Sequence, residues 1–360
     1  MPTHRDPSDA AQLAGRPLVG SRPAPATRAD VAKLAGVSTA VVSYVVNNGP
    51  RPVAVGTAAR VREAMDLLGY LPNASARALR RGTTETLGLV LADPVNPFFA
   101  EYTAELVRAA SALGKRLLIA EILEEQAELA VLEDLVARRV DGLLLATGML
   151  SPGRSRLLAG AGIPTVFISS ANRVPGARTV GSDAVGAAEG LVKHLVRHGR
   201  RRIGLVIGTG GFGDPDPRKV GWRNSLRLAG LSEGASVMMP FTRQGGYLGA
   251  SALLEENPEL DAVFASNDLQ AIGLVRALHE RGIRIPEDVA VVSFDGTQES
   301  EFCWPPLTVA RQPLSELAAA ALALLDTPER AEGTHVQLQT EFIRRASCGC
   351  TQSMGADGPT

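Results

Sequence analysis

The sequence predicts a small all-helical unit near the N-terminus, followed by an α/β body whose parallel sheets form two lobes. Its 360 residues exceed what one compact core usually holds, so two or more domains are expected. Residues 27–72 show a helix–glycine–helix pattern of apolar positions. From Thr86 onward, short apolar runs alternate with amphipathic helical stretches, which is the pattern of parallel sheets covered by helices.

The helical unit has clear start and stop signals. Thr27 is expected to cap the first helix, with Asp30 reaching back as a shortened capping box. Gly36 permits the left-handed conformation that ends this helix, and Ser38 caps a second helix that runs to about Asn47. A short helix, a tight glycine turn and a second helix form a helix-turn-helix, whose second helix enters the major groove of DNA. A three-helix bundle without a ligand is the alternative.

Charge is divided unevenly along the chain. The formal net charge is −1, but residues 27–82 hold eight Lys and Arg against three Asp and Glu, whereas residues 83–360 carry a net −7. A basic unit joined to an acidic body suits a polyanionic partner. No apolar run is long enough for a membrane span, and the first 26 residues lack the apolar core of a signal peptide. We therefore expect a disordered leader on a cytoplasmic protein that does not contact a membrane.

The body contains a series of strand and helix candidates. Strands are predicted at residues 87–92, 116–120, 142–146, 165–169, 203–207, 262–265 and 289–294, and helices at 100–113, 125–138, 184–197 and 269–281. About 270 residues is long for a single sheet, so two lobes with a cleft between them are expected. Ligands of such folds bind at the carboxyl ends of parallel strands.

Several ordered segments resemble the lactose-repressor (LacI/GalR) family of bacterial transcription regulators. In the helical unit they are DVAKLAGVS at residues 30–38, VSYVVNN at 42–48 and LGYLPNA at 68–74. In the body they are GLV at 88–90, NPFF at 96–99, RVDG at 139–142, SND at 266–268, DVAVVSFD at 288–295 and PPLT at 305–308. The resemblance implies a periplasmic-binding-protein-like body in which the chain crosses between the lobes three times. The third crossing is expected near Pro305 and Pro306, returning residues 310–325 to the first lobe.

The same resemblance implies a division of the chain into five parts. These are a leader at residues 1–26, a helix-turn-helix domain at 27–72, a hinge helix and linker at 73–84, a two-lobed effector-binding and dimerisation domain at 85–345, and a flexible tail at 346–360.

The resemblance also assigns contacts with DNA. Thr39, Ala40 and Tyr44 take the positions that read base edges. Tyr44 stands where many members carry Arg, so a bidentate contact with guanine is lost there, and Ala40 offers only a methyl group. Phosphates are expected to be bound by Thr27, Ser38, Ser43 and Asn47. A third helix is predicted at residues 57–68, ended by Gly69, with Ala54 where the family often has a capping Ser.

Residues 73–82 resemble the hinge helix of the family, which orders on operator DNA. Leu79 then matches the apolar wedge that enters the minor groove and kinks the duplex, while Ala76 lies one turn earlier and Arg80 reaches a phosphate. Ten residues form a helix that is marginal alone in water. A basic linker with an exposed Leu is the alternative.

An effector site in the cleft follows from the resemblance in the same way. It is composed of Phe98, Phe99, Arg218, Phe241, Asn267, Asp295 and Gln312. Aromatic rings stack on a sugar or a purine, and charged groups bond hydroxyls or an anion. The alternative is an internal ion pair between Asp295 and Arg218 with the phenylalanines in the core. Ser169 and Ser170 replace an Asp that many members carry, often followed by Arg, which removes an acceptor for sugar hydroxyls.

Other motifs are given no functional role. GTGGFG at residues 208–213 spells a dinucleotide fingerprint, but the DPDP that follows breaks the chain where a helix is required. His194 and His198 have a spacing suited to zinc, with no third ligand evident nearby, and Cys348 and Cys350 are read as tail thiols. No catalytic residue, cofactor or metal is predicted.

These observations lead to one principal hypothesis and two alternatives. The principal hypothesis is a homodimeric repressor that binds a palindromic operator in double-stranded DNA and responds to a small sugar-like or nucleoside-like effector. A tetramer, and either an inducer or a corepressor response, remain open. The alternatives are a solute-binding protein for transport and an enzyme on the same α/β scaffold.

Overall fold

The computed structural model divides the chain after Gly82 into two units. It describes residues 26–47, 49, 51–72, 78, 82–91, 93–122, 128–146, 152–168, 176–208, 216–327 and 333–350. The predicted hinge residues Ala76, Leu79 and Arg80, and the pair Ser169 and Ser170, lie outside the described residues.

The N-terminal unit contains helices α1 (Arg28–Ala35), α2 (Thr39–Asn47) and α3 (Val55–Leu68). Thr27 and Asp30 form the predicted capping box: the Thr27 hydroxyl accepts from the Asp30 amide at 3.3 Å, and the Asp30 carboxylate accepts from the Thr27 amide at 2.8 Å. Gly36 ends α1 with φ 64°, and the chain turns by 105° between α1 and α2. This angle is typical of a helix-turn-helix.

Helix α3 completes a small apolar core. Its residues Val61 and Ala64 pack with Val31 of α1 and Val42 of α2. The helix begins two residues before the predicted start, and its N-cap Ala54 makes no side-chain hydrogen bond, as predicted. Gly69 ends it in the left-handed conformation.

The second unit alternates strands and helices along its length. Its strands are β1 (Thr86–Leu91), β2 (Arg116–Glu121), β3 (Gly142–Ala146), β4 (Thr165–Phe167), β5 (Arg178–Ser182), β6 (Ile203–Gly208), β7 (Ser236–Met239), β8 (Ala262–Ala265), β9 (Ala290–Asp295), β10 (Thr308–Arg311), β11 (His335–Leu338) and β12 (Glu341–Ile343). Its helices are α4 (Pro97–Ala112), α5 (Glu128–Ala137), α6 (Pro152–Ala161), α7 (Ala184–Arg197), α8 (Pro217–Leu228), α9 (Arg243–Glu256), α10 (Asp268–Glu280), α11 (Glu299–Phe302) and α12 (Leu314–Leu325).

Two six-stranded sheets form the two lobes. The first has the order β11-β5-β4-β3-β1-β2 and is parallel throughout, whereas the second has the order β12-β10-β9-β8-β6-β7. The predicted parallel sheets are confirmed, with one exception, since β12 pairs antiparallel with β10 at the edge of the second sheet. Separate apolar clusters cover the two faces of each sheet.

The chain passes between the lobes after β5, after β10 and after β11. The prediction that the third crossing lies near Pro305 and Pro306 is wrong. Those prolines precede β10 within the second lobe, and the crossing at Gln312 is the second of the three. The return of the following helix to the first lobe is confirmed, because α12 packs in the apolar cluster of that lobe.

Candidate DNA-reading helix and ligand cleft

The N-terminal end of α2 presents the predicted base-reading residues Thr39 and Ala40 to solvent. Tyr44 was expected to face outward, but it is half-buried. Its ring lies so close to Gly49 that a Cβ at that position would come within 2.5 Å of Tyr44 Cδ1. The helix therefore carries a free N-terminal face of small side chains and one aromatic ring held against the following turn.

The predicted phosphate-binding residues already bond within their own unit. The Thr27 hydroxyl donates to the Asp30 carboxylate at 2.6 Å, and the Ser38 hydroxyl accepts from the Val41 amide at 3.4 Å. The Asn47 side-chain amide donates to the Ser43 carbonyl at 2.8 Å and to the Ser43 hydroxyl at 3.3 Å. These hydrogen bonds cap the helices and connect their turns. A side chain that bonds a phosphate would therefore have to share or give up its present hydrogen bond.

Arg218 lies at the start of α8 in a buried setting. Its guanidinium makes two bonds to Asp216, from Nε at 3.0 Å and from Nη2 at 2.7 Å, and Nη1 donates to the Ser266 carbonyl at 2.8 Å. The guanidinium carbon lies 4.9 Å from the centre of the Phe241 ring. Asp216, which also caps α8, was read from sequence only as part of a chain break.

The Phe241 ring covers the end of β6, where a Cβ on Gly208 would overlap it. Gly208 thus allows the ring to approach the carboxyl end of that strand, next to Arg218. Asn267 lies nearby at the start of α10, where its side-chain oxygen accepts from the Gln270 amide at 2.9 Å. Its role in the structure is that of a helix cap.

The side chains of Asp295 and Gln312, both predicted to lie in the cleft, are hydrogen-bonded to each other. Gln312 donates from Nε2 to Asp295 Oδ1 at 2.8 Å, and its Oε1 accepts from the Ser182 hydroxyl at 2.8 Å. Ser182 ends β5 and Gln312 follows β10, so this chain of bonds links two of the crossings between the lobes. Asp295 has φ 105°, a strained backbone conformation for a residue other than Gly.

The two phenylalanines lie in the first lobe. Phe98 is buried in its apolar cluster and meets the Phe99 ring edge-on at 5.1 Å between centroids, which agrees with the alternative of a core role for Phe98. Phe99 is half-buried beside it. One helical turn further on, Glu101 accepts a bond at 2.9 Å from the Gln298 amide of the second lobe. This bond between the lobes was not foreseen from sequence.

A depression of about 620 Å³ lies along the crossing segments. Five glutamates line it against a single Arg: Glu101, Glu105, Glu301, Glu316, Glu341 and Arg311. Of the predicted cleft residues, it includes Gln312 alone. The depression is therefore distinct from the group around Arg218 and Phe241.

Two buried carboxyl groups lie close together in the second lobe. Burial raises the pKa of Asp268 to about 6, against hydrogen bonds from Ser293 and Thr297 that lower it. Burial also raises the pKa of Asp295 well above its ordinary value, and the nearby Asp268 adds to this, while Arg218 and Gln312 act in the opposite direction. Both groups favour the protonated state more than in water.

The Asp268 carboxyl predicts a pH dependence of stability. Because its folded pKa of about 6 exceeds the ordinary value of 3.8, its contribution is present in full below pH 4 and is lost as the pH rises through 6. The wild type should therefore lose about 3 kcal/mol of unfolding free energy between a pH below 4 and a pH above 6 that Asp268→Asn does not lose, so the variant becomes more stable relative to the wild type as the pH rises. Urea unfolding at stepped pH measures this, and parallel curves for the two proteins would contradict it.

The sequence shows no third potential ligand near His194 and His198, but the fold brings one beside them. Cys350 Sγ lies 3.5 Å from Nε2 of each histidine, and the described residues contain this one group of three close metal-ligand atoms. The predicted start of a flexible tail at residue 346 also needs correction. Residues 346–348 form a 3₁₀ turn in which Cys348 is fully buried.

Both units match known protein families. Residues 27–73 match the family described as bacterial regulatory proteins, lacI family, and residues 84–346 match periplasmic binding proteins and sugar binding domain of LacI family.

Similar proteins agree with this division. The ribose operon repressor of Escherichia coli (strain K12) is 33% identical over 304 residues, which cover 83% of this chain and 92% of the relative. The Lac repressor dimer bound to operator and the anti-inducer ONPF has a TM-score of 0.81 at 25% identity, covering 90% of this chain and 99% of that one. The CelR–cellobiose complex has a TM-score of 0.69 at 29% identity, covering 89% and 99%.

A helix-turn-helix unit joined to a two-lobed body of the sugar-binding type defines a DNA-binding transcription regulator. The transport alternative is not supported, because the solute-binding fold here follows a DNA-binding unit. The chain belongs to the LacI family of bacterial regulatory proteins.

Among the described helices, none is by itself long and apolar enough to cross a membrane. The sharply bent pair α1 and α2 meets the criterion jointly, by length and composition only.

Proposed function

We propose that the protein is a homodimeric repressor that binds a palindromic operator and is regulated by a small polar ligand held between the lobes. One α2 helix covers one half-site, so a palindrome calls for two copies related by a two-fold axis. The exposed Thr39 and Ala40 at the start of α2 support the reading of bases in the major groove. Binding to DNA also supports a cytoplasmic location.

The bond chain from Ser182 through Gln312 to Asp295 is the observation that carries the ligand half of the proposal. It joins two crossing segments to the strained end of β9, where the charge of Arg218 acts on Asp295. A ligand that bonds Asp295 or Gln312 would compete with this chain and so bias the relation of the lobes. It regulates DNA binding only if it binds the two states with different affinity.

A polyhydroxylated ligand of the sugar class suits these groups. Asp295 and Gln312 offer acceptors and donors for hydroxyl groups, and an aromatic ring stacks on the C–H face of a sugar. The names of two relatives refer to ribose and cellobiose, which supports the same class. The groups hold and release a ligand, and we propose no catalytic step for them.

Selection of DNA from a random pool tests the operator half of the proposal. We expect a palindrome to be enriched, and its recovery to change when pentoses, hexoses, disaccharides or nucleosides are added one at a time. Asp295→Asn should bind the same palindrome with its ligand response lost. Failure to enrich any palindrome, without and with every ligand, would overturn the proposal.

Leu79→Ala tests the predicted minor-groove wedge, a role that rests on the sequence. Specific operator affinity should fall at least tenfold, a loss of about 1.4 kcal/mol, because the wedge supports the kinked duplex. Weak, salt-sensitive binding to unrelated DNA should persist, since phosphate contacts supply it. Leu71→Ala, at a residue that is 85% exposed, is the matched control. Equal operator affinities of the two variants, measured by fluorescence anisotropy, would refute the role.

A further inference from the structure

Two histidines and two cysteines meet at the end of α7 that is remote from the cleft. His194 lies in the last turn of α7 and is buried, and His198, the C-cap residue of the helix, is exposed, with the two ring centroids 4.5 Å apart. Cys348 and Cys350 come from the C-terminal segment, 150 or more residues further along the chain. Cys348 Sγ lies 3.2 Å from His194 Nε2, and Cys350 Sγ lies 3.5 Å from Nε2 of both histidines.

These separations match the edges of a tetrahedral zinc site. With Zn–N near 2.0 Å and Zn–S near 2.3 Å, a tetrahedron places N and S about 3.5 Å apart. The ligand atoms of His194, His198 and Cys350 all lie within 4.8 Å of one another. A pair of thiolates and a pair of neutral imidazoles is a common donor set for structural zinc.

We propose that His194, His198 and Cys350 bind one zinc ion, that Cys348, which now contacts His194, moves in as the fourth ligand, and that the ion fastens the C-terminal segment to the second lobe.

Groups around these residues hold the ligands in position. The Thr308 hydroxyl donates to Cys348 Sγ at 3.0 Å, and the Phe342 ring meets the His194 ring edge-on at 5.0 Å between centroids. Hydrogen bonds and packing of this kind orient the ligands of metal sites.

The position of the site indicates a structural role. Helix α7 begins at the first crossing, and its 14 residues place the histidines about 21 Å from that crossing.

A disulfide between Cys348 and Cys350 is the competing use of the two thiols. Both thiols are free in the structure.

Metal binding by the reduced, full-length protein tests the proposal. After treatment with chelator and loading with zinc chloride, the wild type should retain one equivalent of zinc per chain. His198→Ala and Cys350→Ser should each lower zinc affinity at least tenfold. The matched controls are His279→Ala, at an exposed histidine near the end of α10, and Cys303→Ser, at a cysteine elsewhere in the second lobe. Both controls should bind zinc as the wild type does.

Cobalt substitution identifies the ligands themselves. The wild type loaded with Co²⁺ should show the visible bands of a tetrahedral ion and thiolate-to-cobalt absorption, of which Cys348→Ser and Cys350→Ser each remove about half. Retention of less than a tenth of an equivalent of zinc by the wild type would overturn the proposal. Equal zinc affinity in His198→Ala and His279→Ala, or loss of both thiols to a disulfide without metal uptake, would overturn it as well.

Discussion

Gly273→Ala should destabilise the second lobe by about 2–4 kcal/mol, although it places a stronger helix former inside α10. A Cβ at Gly273 would overlap the backbone carbonyl of Arg243, the first residue of α9. Gly246 of α9 faces α10 in the same way, since its Cβ would overlap the Gln270 carbonyl. The two helices touch through their backbones, so no side-chain rotation relieves the clash.

Gly190→Ala is the matched control for this prediction. Gly190 also lies inside a helix, α7, but a Cβ there meets no atom within 4 Å. Its replacement should stabilise the protein by up to about 1 kcal/mol through helix propensity alone. Urea unfolding separates the two variants. Similar urea-unfolding midpoints for Gly273→Ala and Gly190→Ala would contradict a close backbone contact between α9 and α10.

Arg218→Met should cost about 3–5 kcal/mol, because it leaves the Asp216 carboxylate buried without its partner. The Arg218 and Asp216 side chains are 7% and 11% exposed and lie 2.7 Å apart. Replacing both charges is expected to cost much less than the single change, since no buried charge is then left alone. Asn is the substitution of choice at position 216, because it keeps an oxygen to cap α8 at the Arg218 amide.

A double-mutant cycle in urea unfolding measures this coupling between the two residues. If Arg218→Met with Asp216→Asn is no more stable than Arg218→Met alone, the cost of Arg218→Met does not come from an unpaired Asp216 carboxylate and the prediction fails. The cycle also bears on the cleft. If the paired variant folds normally yet binds no ligand, the Arg218–Asp216 pair serves the ligand in addition to the fold.

Local signals in the sequence predicted the N-terminal unit closely. The Thr27–Asp30 capping box and the glycines that end α1 and α3 depend on neighbours within a few residues, so they can be read directly. The central strands could be predicted too, because burial on both faces demands a continuous apolar run, as in β3 and β8.

Elements that depend on distant neighbours were missed. Strand β5 has no apolar run, and its burial is imposed by β4 and β11 on either side and by α12 above it. The edge strand β12 is only three residues long, with its first two residues exposed. The grouping of two histidines with two cysteines requires the tertiary fold. The bonds from Arg218 to Asp216 span only two residues, but the sequence does not indicate which way these side chains turn.

The three crossings between the lobes have a consequence for biosynthesis. The first sheet lacks its edge strand β11 until residue 338 has been made, and the second lacks β12 until residue 343. Most of the nascent chain therefore leaves the ribosome before either lobe has all its strands, whereas α1 to α3 are complete by residue 68. The DNA-binding unit can fold early in translation, but the body that would regulate it cannot be completed until residue 343 has left the ribosome.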